Sequence, residues 1–142
     1  MSVLELKYEV PGDDFTRAGE ASSDVKKKLK RLGYKSDAIR RVAISMYEGE
    51  INMVIHAGGG RAVVDINPDK VEIYLIDEGP GIADVSKAME AGFSTAPDNV
   101  RALGFGAGMG LPNMKKYSHE MEIKSEVGKG TQVKMVIYSD RD

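Results

Sequence analysis

Glu48, Asn52 and His56 stand at four-residue spacing inside residues 42–57, a run otherwise rich in Ile, Val, Met and Ala. At about 100° per residue they fall within about 80° of one another on a helix, with Ser45 between them at about 60°. A wide arc of Val42, Ala43, Ile44, Met46, Ile51, Met53, Val54 and Ile55 flanks this narrow polar stripe. One reading is the wet side of an amphipathic helix. The other is a pocket floor. There an amide oxygen suits Mg²⁺, which prefers oxygen ligands and keeps waters beside phosphate. A carboxylate one turn away then orients or deprotonates an attacking hydroxyl. Glu50 lies about 200° from Glu48, so the carboxylate that shares a face with Asn52 is Glu48. His56 is placed as a cation near the helix C-terminus. With two histidines in the chain and no cysteine, a zinc site is poorly supplied.

Two glycine motifs follow. Asp77-Glu78-Gly79-Pro80-Gly81-Ile82 could present a carboxylate to an exocyclic amine, while Gly79 and Gly81 let a flat base approach the backbone. Strand ends also turn on Asp and Gly for structural reasons alone. Gly104-Phe105-Gly106-Ala107-Gly108-Met109-Gly110-Leu111 places four glycines at alternate positions ahead of a helix. Such a run costs conformational entropy and exposes backbone N–H groups at a helix N-terminus, as a phosphate cradle does. No Gly-Lys-Ser/Thr follows at Walker A spacing. The dinucleotide fingerprint fails on both spacing and context.

Composition bounds the rest. The chain has 142 residues, 42% hydrophobic and 30% charged, which fits one domain, 1–142, with a real core. Its 20 Lys+Arg against 22 Asp+Glu, net −2, argue against a mainly electrostatic grip on nucleic acid or an anionic membrane. The absence of cysteine excludes disulfides and cysteine nucleophiles. Of 16 glycines, seven fall between Gly79 and Gly110. No apolar run approaches the roughly 20 residues of a membrane span, and the N-terminus does not read as a signal peptide, so a cytoplasmic protein is expected.

The elements that must position these groups are legible as periodicities. Residues 3–10 alternate as a strand, closed by a Pro11-Gly12-Asp13-Asp14 turn. Residues 15–32 read as a helix with Gly33 as its C-cap. Ser36 or Asp37 caps a second helix to about Ala57, stopped by Gly58-Gly59-Gly60. Residues 62–66 and 71–76 form a hairpin through Asn67-Pro68-Asp69-Lys70. A short helix over 84–91, a mobile loop over 93–105 and a helix over 111–118 follow. Strands over 120–126 and 131–138 then pair through Gly128-Lys129-Gly130. This order predicts a mixed or antiparallel sheet with helices on one face, an α+β two-layer sandwich within the broad α/β class.

Taken in order, Glu48-x-x-x-Asn52-x-x-x-His56, Asp77-x-Gly79-x-Gly81, Gly106-x-Gly108-x-Gly110 and Gly128-x-Gly130-Thr131 resemble the N, G1, G2 and G3 boxes of the GHKL ATPases. That superfamily includes gyrase, Hsp90, histidine kinases and MutL. The likeness narrows to the stand-alone anti-sigma regulatory kinases (RsbW, SpoIIAB, RsbT); the Asp77–Ile82 stretch, Gly92-Phe93-Ser94-Thr95 and the Gly106–Leu111 run through Gly128-Lys129-Gly130-Thr131 most resemble the RsbT type. The likeness covers nearly the whole chain and is least specific before about Ser36.

The resemblance implies the Bergerat fold with a glycine-rich ATP lid from about Phe93 to Gly110. It implies ATP or ADP as the bound nucleotide, with Asn52 ligating Mg²⁺ and Glu48 as general base. Asp77 would bind the adenine amino group, supported by Thr131 through water, with Gly79, Gly81 and Ile82 shaping the base pocket. Gly104, Gly106, Ala107, Gly108, Met109, Gly110 and Leu111 would surround the phosphates. In these relatives the phosphate goes to a serine of a small STAS-domain protein, and a partner switch follows. The implied activity is a regulatory serine/threonine protein kinase in signal transduction and transcription regulation. The alternative is an anti-sigma factor that sequesters a sigma factor or other regulator with little phosphotransfer. A homodimer is compatible with either. Residues 96–103 look longer than the matching lid segment of the RsbT type, and His56 falls where the family varies.

Overall fold

A computed structural model of the chain describes residues 4–12, 17–82, 89 and 110–139. Its elements are β1 (Leu4–Pro11), α1 (Glu20–Arg31), α2 (Ser36–Ala57), β2 (Gly59–Ile66), β3 (Lys70–Asp77), α3 (Gly110–Tyr117), β4 (Glu120–Glu126) and β5 (Gly130–Tyr138). The strands form one five-stranded sheet in the order β1-β2-β3-β5-β4. Every neighbouring pair is antiparallel, so of the two sheet types the sequence allows, the antiparallel one forms. The helix expected over 84–91 (Met89 apart), the loop over 93–105 and Asp13-Asp14 of the first turn lie outside the described residues, as do Gly104, Gly106, Ala107, Gly108 and Met109.

Alternation decides which face of the sheet is dry. Val71, Ile73 and Leu75 of β3 are buried, as are Val133, Met135 and Ile137 of β5 and Ala62, Val64 and Ile66 of β2. These residues pack with Val25 and Leu29 of α1, Val42, Met46 and Met53 of α2, and Met114 of α3 in one core. Burying this many apolar side chains on a two-layer frame is the main stabilising term. Among the described residues no helix is long and apolar enough to cross a membrane.

Five boundaries differ from the periodicity. The first helix begins at Glu20, because Gly19 takes a left-handed conformation (φ 100°) that a continuing helix does not allow. Its C-cap is Leu32; Gly33 lies one residue beyond. There the Gly33 N–H donates to the Lys30 carbonyl and the Tyr34 N–H to the Leu29 carbonyl, a Schellman ending. The second helix is capped by the extended Lys35 backbone, with Ser36 and Asp37 inside the first turn. Asp37 instead holds Arg41 Nε at 2.9 Å, one turn on. Gly58 ends α2 as expected, but Gly59 and Gly60 belong to β2, paired with Pro11 and Val10. Gly130 likewise opens β5, paired with Glu126.

Glu50, on the far side of α2 from Glu48, is 1% exposed and turned toward α1. Its Oε1 accepts the Ser22 backbone N–H at 3.2 Å, one of the donors that the α1 N-terminus leaves without a helical partner. Burial pushes the carboxyl above the usual range, and the hydrogen bonds from Ser22 and neighbouring amides oppose that. Glu50→Ala should therefore cost about 2–3 kcal/mol, from the orphaned donor and the cavity together. Urea unfolding measures it. A loss below about 0.5 kcal/mol would show that Glu50 does not clamp α1 to α2.

Candidate functional site

The stripe on α2 is not a solvated face. Ser45 is fully buried, and Glu48, Asn52 and His56 are each partly covered. At Glu48 and Asn52 the neighbouring element is α3. A carbon built onto Gly110, its first residue, would lie 3.9 Å from Asn52 Oδ1 and 3.9 Å from Glu48 Oε2. One carboxylate oxygen and one amide oxygen thus face the backbone at Gly110, the first residue of α3. Leu111 is buried beside that junction in the core. Burial raises the Glu48 carboxyl above its ordinary range, and a hydrogen bond from Asn113 of α3 partly offsets this. Asn113 was not singled out by the sequence.

His56 sits on the same stripe, but burial lowers its pKa. That shift runs against the cationic role expected of it at the helix end, because burial disfavours the charged imidazolium.

The second half of the site grows out of the sheet register. Asp77 of β3 pairs with Thr131 of β5, which pairs with Ser125 of β4. Directly paired residues point to the same face. All three continue the helix-facing columns, Asp77 two residues after Leu75, Thr131 two before Val133 and Ser125 two after Ile123. The apolar columns therefore end in one polar row at the edge of the helix layer. Asp77 Oδ1 accepts the Gly79 N–H at 3.0 Å and the Thr131 N–H at 3.2 Å. Among the described residues both of these bonds fall on Oδ1, so Oδ2 is the oxygen available to a ligand. Ser125, which sequence reasoning missed, accepts the Ile82 N–H at 2.7 Å and lies 2.8 Å from Thr131 Oγ1.

Gly79 and Gly81 are required here first by the protein's own packing. A Cβ at Gly79 would stand 2.6 Å from Ala57 Cβ, at the end of α2. Gly81 has φ +79°, and a Cβ there would collide with the Glu126 carbonyl. The Pro80 carbonyl also accepts the Gly128 N–H at 2.8 Å, so the Asp77–Ile82 turn is clamped onto the β4–β5 turn. This fixes Asp77 relative to Thr131. The Gly79–Ala57 packing ties the polar row to the end of the helix that carries Glu48 and Asn52.

The oxygen set fits a hard divalent cation in part. Asn52 Oδ1 and Glu48 Oε2 converge, yet among the described residues no three His, Cys, Asp or Glu side chains cluster to hold a metal. A cation here would draw most of its ligands from phosphate and water, as Mg²⁺ does.

Comparison with known proteins identifies the family. The chain is 38% identical over 107 residues to the anti-sigma F factor of Caldanaerobacter subterraneus subsp. tengcongensis, covering 75% of this chain and 67% of that relative. It is 32% identical over 111 residues to the serine/threonine-protein kinase RsbT of Bacillus subtilis, covering 75% of this chain and 77% of the kinase. The crystal structure of the RsbU and RsbW domains of a Mycobacterium tuberculosis protein superposes with a TM-score of 0.65 at 15% identity. That match takes in 98% of this chain but 34% of the mycobacterial one, and it speaks to the fold alone. The model of the histidine kinase-, DNA gyrase B- and HSP90-like ATPases matches residues 36–141, from the start of α2 through β5. That span carries Glu48, Asn52, Asp77, Gly110 and Thr131, and it implies ATP binding; the chain belongs to this ATPase family.

Proposed function

We propose that the chain is a Mg²⁺-ATP-dependent serine/threonine protein kinase whose substrate is a small STAS-domain protein in a partner-switching pathway. The observation that carries this reading is the convergence of Glu48 Oε2 and Asn52 Oδ1 at the entry to α3. A module that only binds nucleotide has no need of a half-buried carboxylate beside the amide.

In this reading adenine sits at the row of Asp77 and Thr131, with its amine against Asp77 Oδ2. The phosphates run toward the α3 N-terminus, where Gly110 would offer a backbone N–H group, a role this reading extends to the glycines before it. Asn52 would hold Mg²⁺, which when bound neutralises charge on the phosphate oxygens. Glu48 takes the proton of the incoming serine hydroxyl as its oxygen bonds to the γ-phosphorus. The bond from that phosphorus to the β–γ bridging oxygen breaks, and ADP leaves. Residues 1–142 act as one unit in this scheme. β1 and α1, outside the matched span, supply Val10, Ala21, Val25 and Leu29 to the same core.

Incubation with γ-labelled ATP and a small STAS-domain protein tests the proposal. Label on a serine of that protein is the expected result. The second reading, a nucleotide-dependent anti-sigma factor, draws support from the relative named for that role. It prevails if no label transfers while a sigma factor or the STAS protein co-elutes with the nucleotide-loaded chain.

A further inference from the structure

Ser125 carries one hydroxyl proton and stands among three partners. It accepts the Ile82 N–H at 2.7 Å, lies 2.8 Å from Thr131 Oγ1, and reaches the Gly130 carbonyl at 3.3 Å. Counting protons over these contacts leaves two arrangements. If Ser125 donates to Thr131, the Gly130 carbonyl faces Ser125 with no proton between two acceptors. If Ser125 donates to Gly130, Thr131 donates to Ser125, and every contact then holds one proton. The second arrangement satisfies all three contacts and uses both Ser125 lone pairs, so it is the favoured one. Its consequence lies on the other side of Thr131. With its own proton committed to Ser125, Thr131 Oγ1 presents only lone pairs outward.

Asp77 stands next to Thr131 in the same row, with Oδ1 occupied by two backbone N–H donors, which leaves Oδ2 as a second acceptor. Two acceptors side by side match a group carrying two hydrogens. A 6-amino purine offers that group; a 6-oxo purine offers an acceptor in the same place. We propose that Ser125 is a positioning residue that sets Thr131 as a hydrogen-bond acceptor, and that this polarity makes the site select 6-amino over 6-oxo purine nucleotides. The proposal rests on the ATP-site reading above.

The test is titration of the protein with ATP and with inosine triphosphate, which carries a 6-oxo group and a proton on N1, for wild type, Ser125→Ala and Ser125→Thr. Removing the Ser125 hydroxyl frees Thr131 to turn its proton outward, where it suits the 6-oxo group. The preference for ATP over inosine triphosphate should then fall about tenfold in Ser125→Ala, the effect of one hydrogen bond, and persist in Ser125→Thr. A brace without influence on polarity would weaken both nucleotides alike, so an unchanged ratio in Ser125→Ala overturns the proposal.

Thr131→Val offers an independent arm should Ser125→Ala fail to fold. Its ratio should fall in the same way, and a preserved ratio there also overturns the proposal. Failure of the underlying reading looks different: wild type then binds neither nucleotide, before any variant is compared.

Discussion

Asp77→Asn is expected to weaken ATP binding by at least about 100-fold while leaving the fold intact, the loss of a hydrogen bond to a charged group plus a reversed donor. The two N–H groups on Asp77 Oδ1, from Gly79 and Thr131, decide how the asparagine sits. Both demand an acceptor, so the amide oxygen takes the Oδ1 position and the NH₂ takes that of Oδ2. The Asp77–Ile82 turn and the Thr131 backbone keep their bonds, which is why stability is spared. The ligand-facing atom, however, changes from acceptor to donor. Donor then meets donor at the adenine amine, and a buried polar group is left unpaired on each side. Calorimetric titration with ATP measures the loss, and thermal unfolding within about 3 °C of wild type shows that the fold is retained. An affinity within fivefold of wild type would remove Asp77 from the base pocket.

The second large effect is on transfer. Glu48→Gln keeps the shape, the contact with Asn113 and the amide of Asn52, so ATP affinity should stay within about threefold. The rate of phosphate transfer to the protein acceptor should fall about 10²–10⁴-fold, the usual contribution of a positioned base. The wild-type pH profile carries a second signature. Burial raises the Glu48 carboxyl, and a base works only when deprotonated. Transfer should therefore be full at higher pH and decline as pH falls through a value above the ordinary carboxylate range. The residual rate of Glu48→Gln should lack that acidic limb. Equal losses of ATP affinity and of transfer in Glu48→Gln would mean that Glu48 binds nucleotide and is not the base.

Much of this molecule was readable before folding. Alternation in residues 3–10, 120–126 and 131–138 and β-branched runs over 62–66 and 71–76 located all five strands, because a half-buried strand places every second side chain in the core and branched side chains suit the pleat. The start of β2 was hidden, since Gly59 and Gly60 carry no side chain to alternate. The same absence lets β2 pass Pro11 and Val10 of β1, where a run of three glycines reads as a stop. Glu48 and Asn52 share a helical face by arithmetic alone, and the structure seats both at the α3 entry. Whether that face was wet or covered lay beyond the arithmetic, for a wheel shows which residues lie together and not what lies against them.

What the sequence by itself determined is the set of local patterns: the α2 stripe, the strand alternation, and the four motifs whose order marks the family. What only the tertiary structure decided are the relations between segments far apart in the chain. The register of β3, β5 and β4 puts Asp77, Thr131 and Ser125 in one row, and no local pattern flags Ser125. It reads as one more polar residue at a strand end until pairing places it beside Thr131. Packing of α3 on α2 likewise brings Asn113 to Glu48 and raises the Glu48 pKa, and folding of α1 onto α2 buries Glu50. The physical reason is common to these cases. Hydrogen-bond polarity and carboxyl basicity depend on the atoms within a few ångströms, and which atoms those are is fixed by strand register and helix packing.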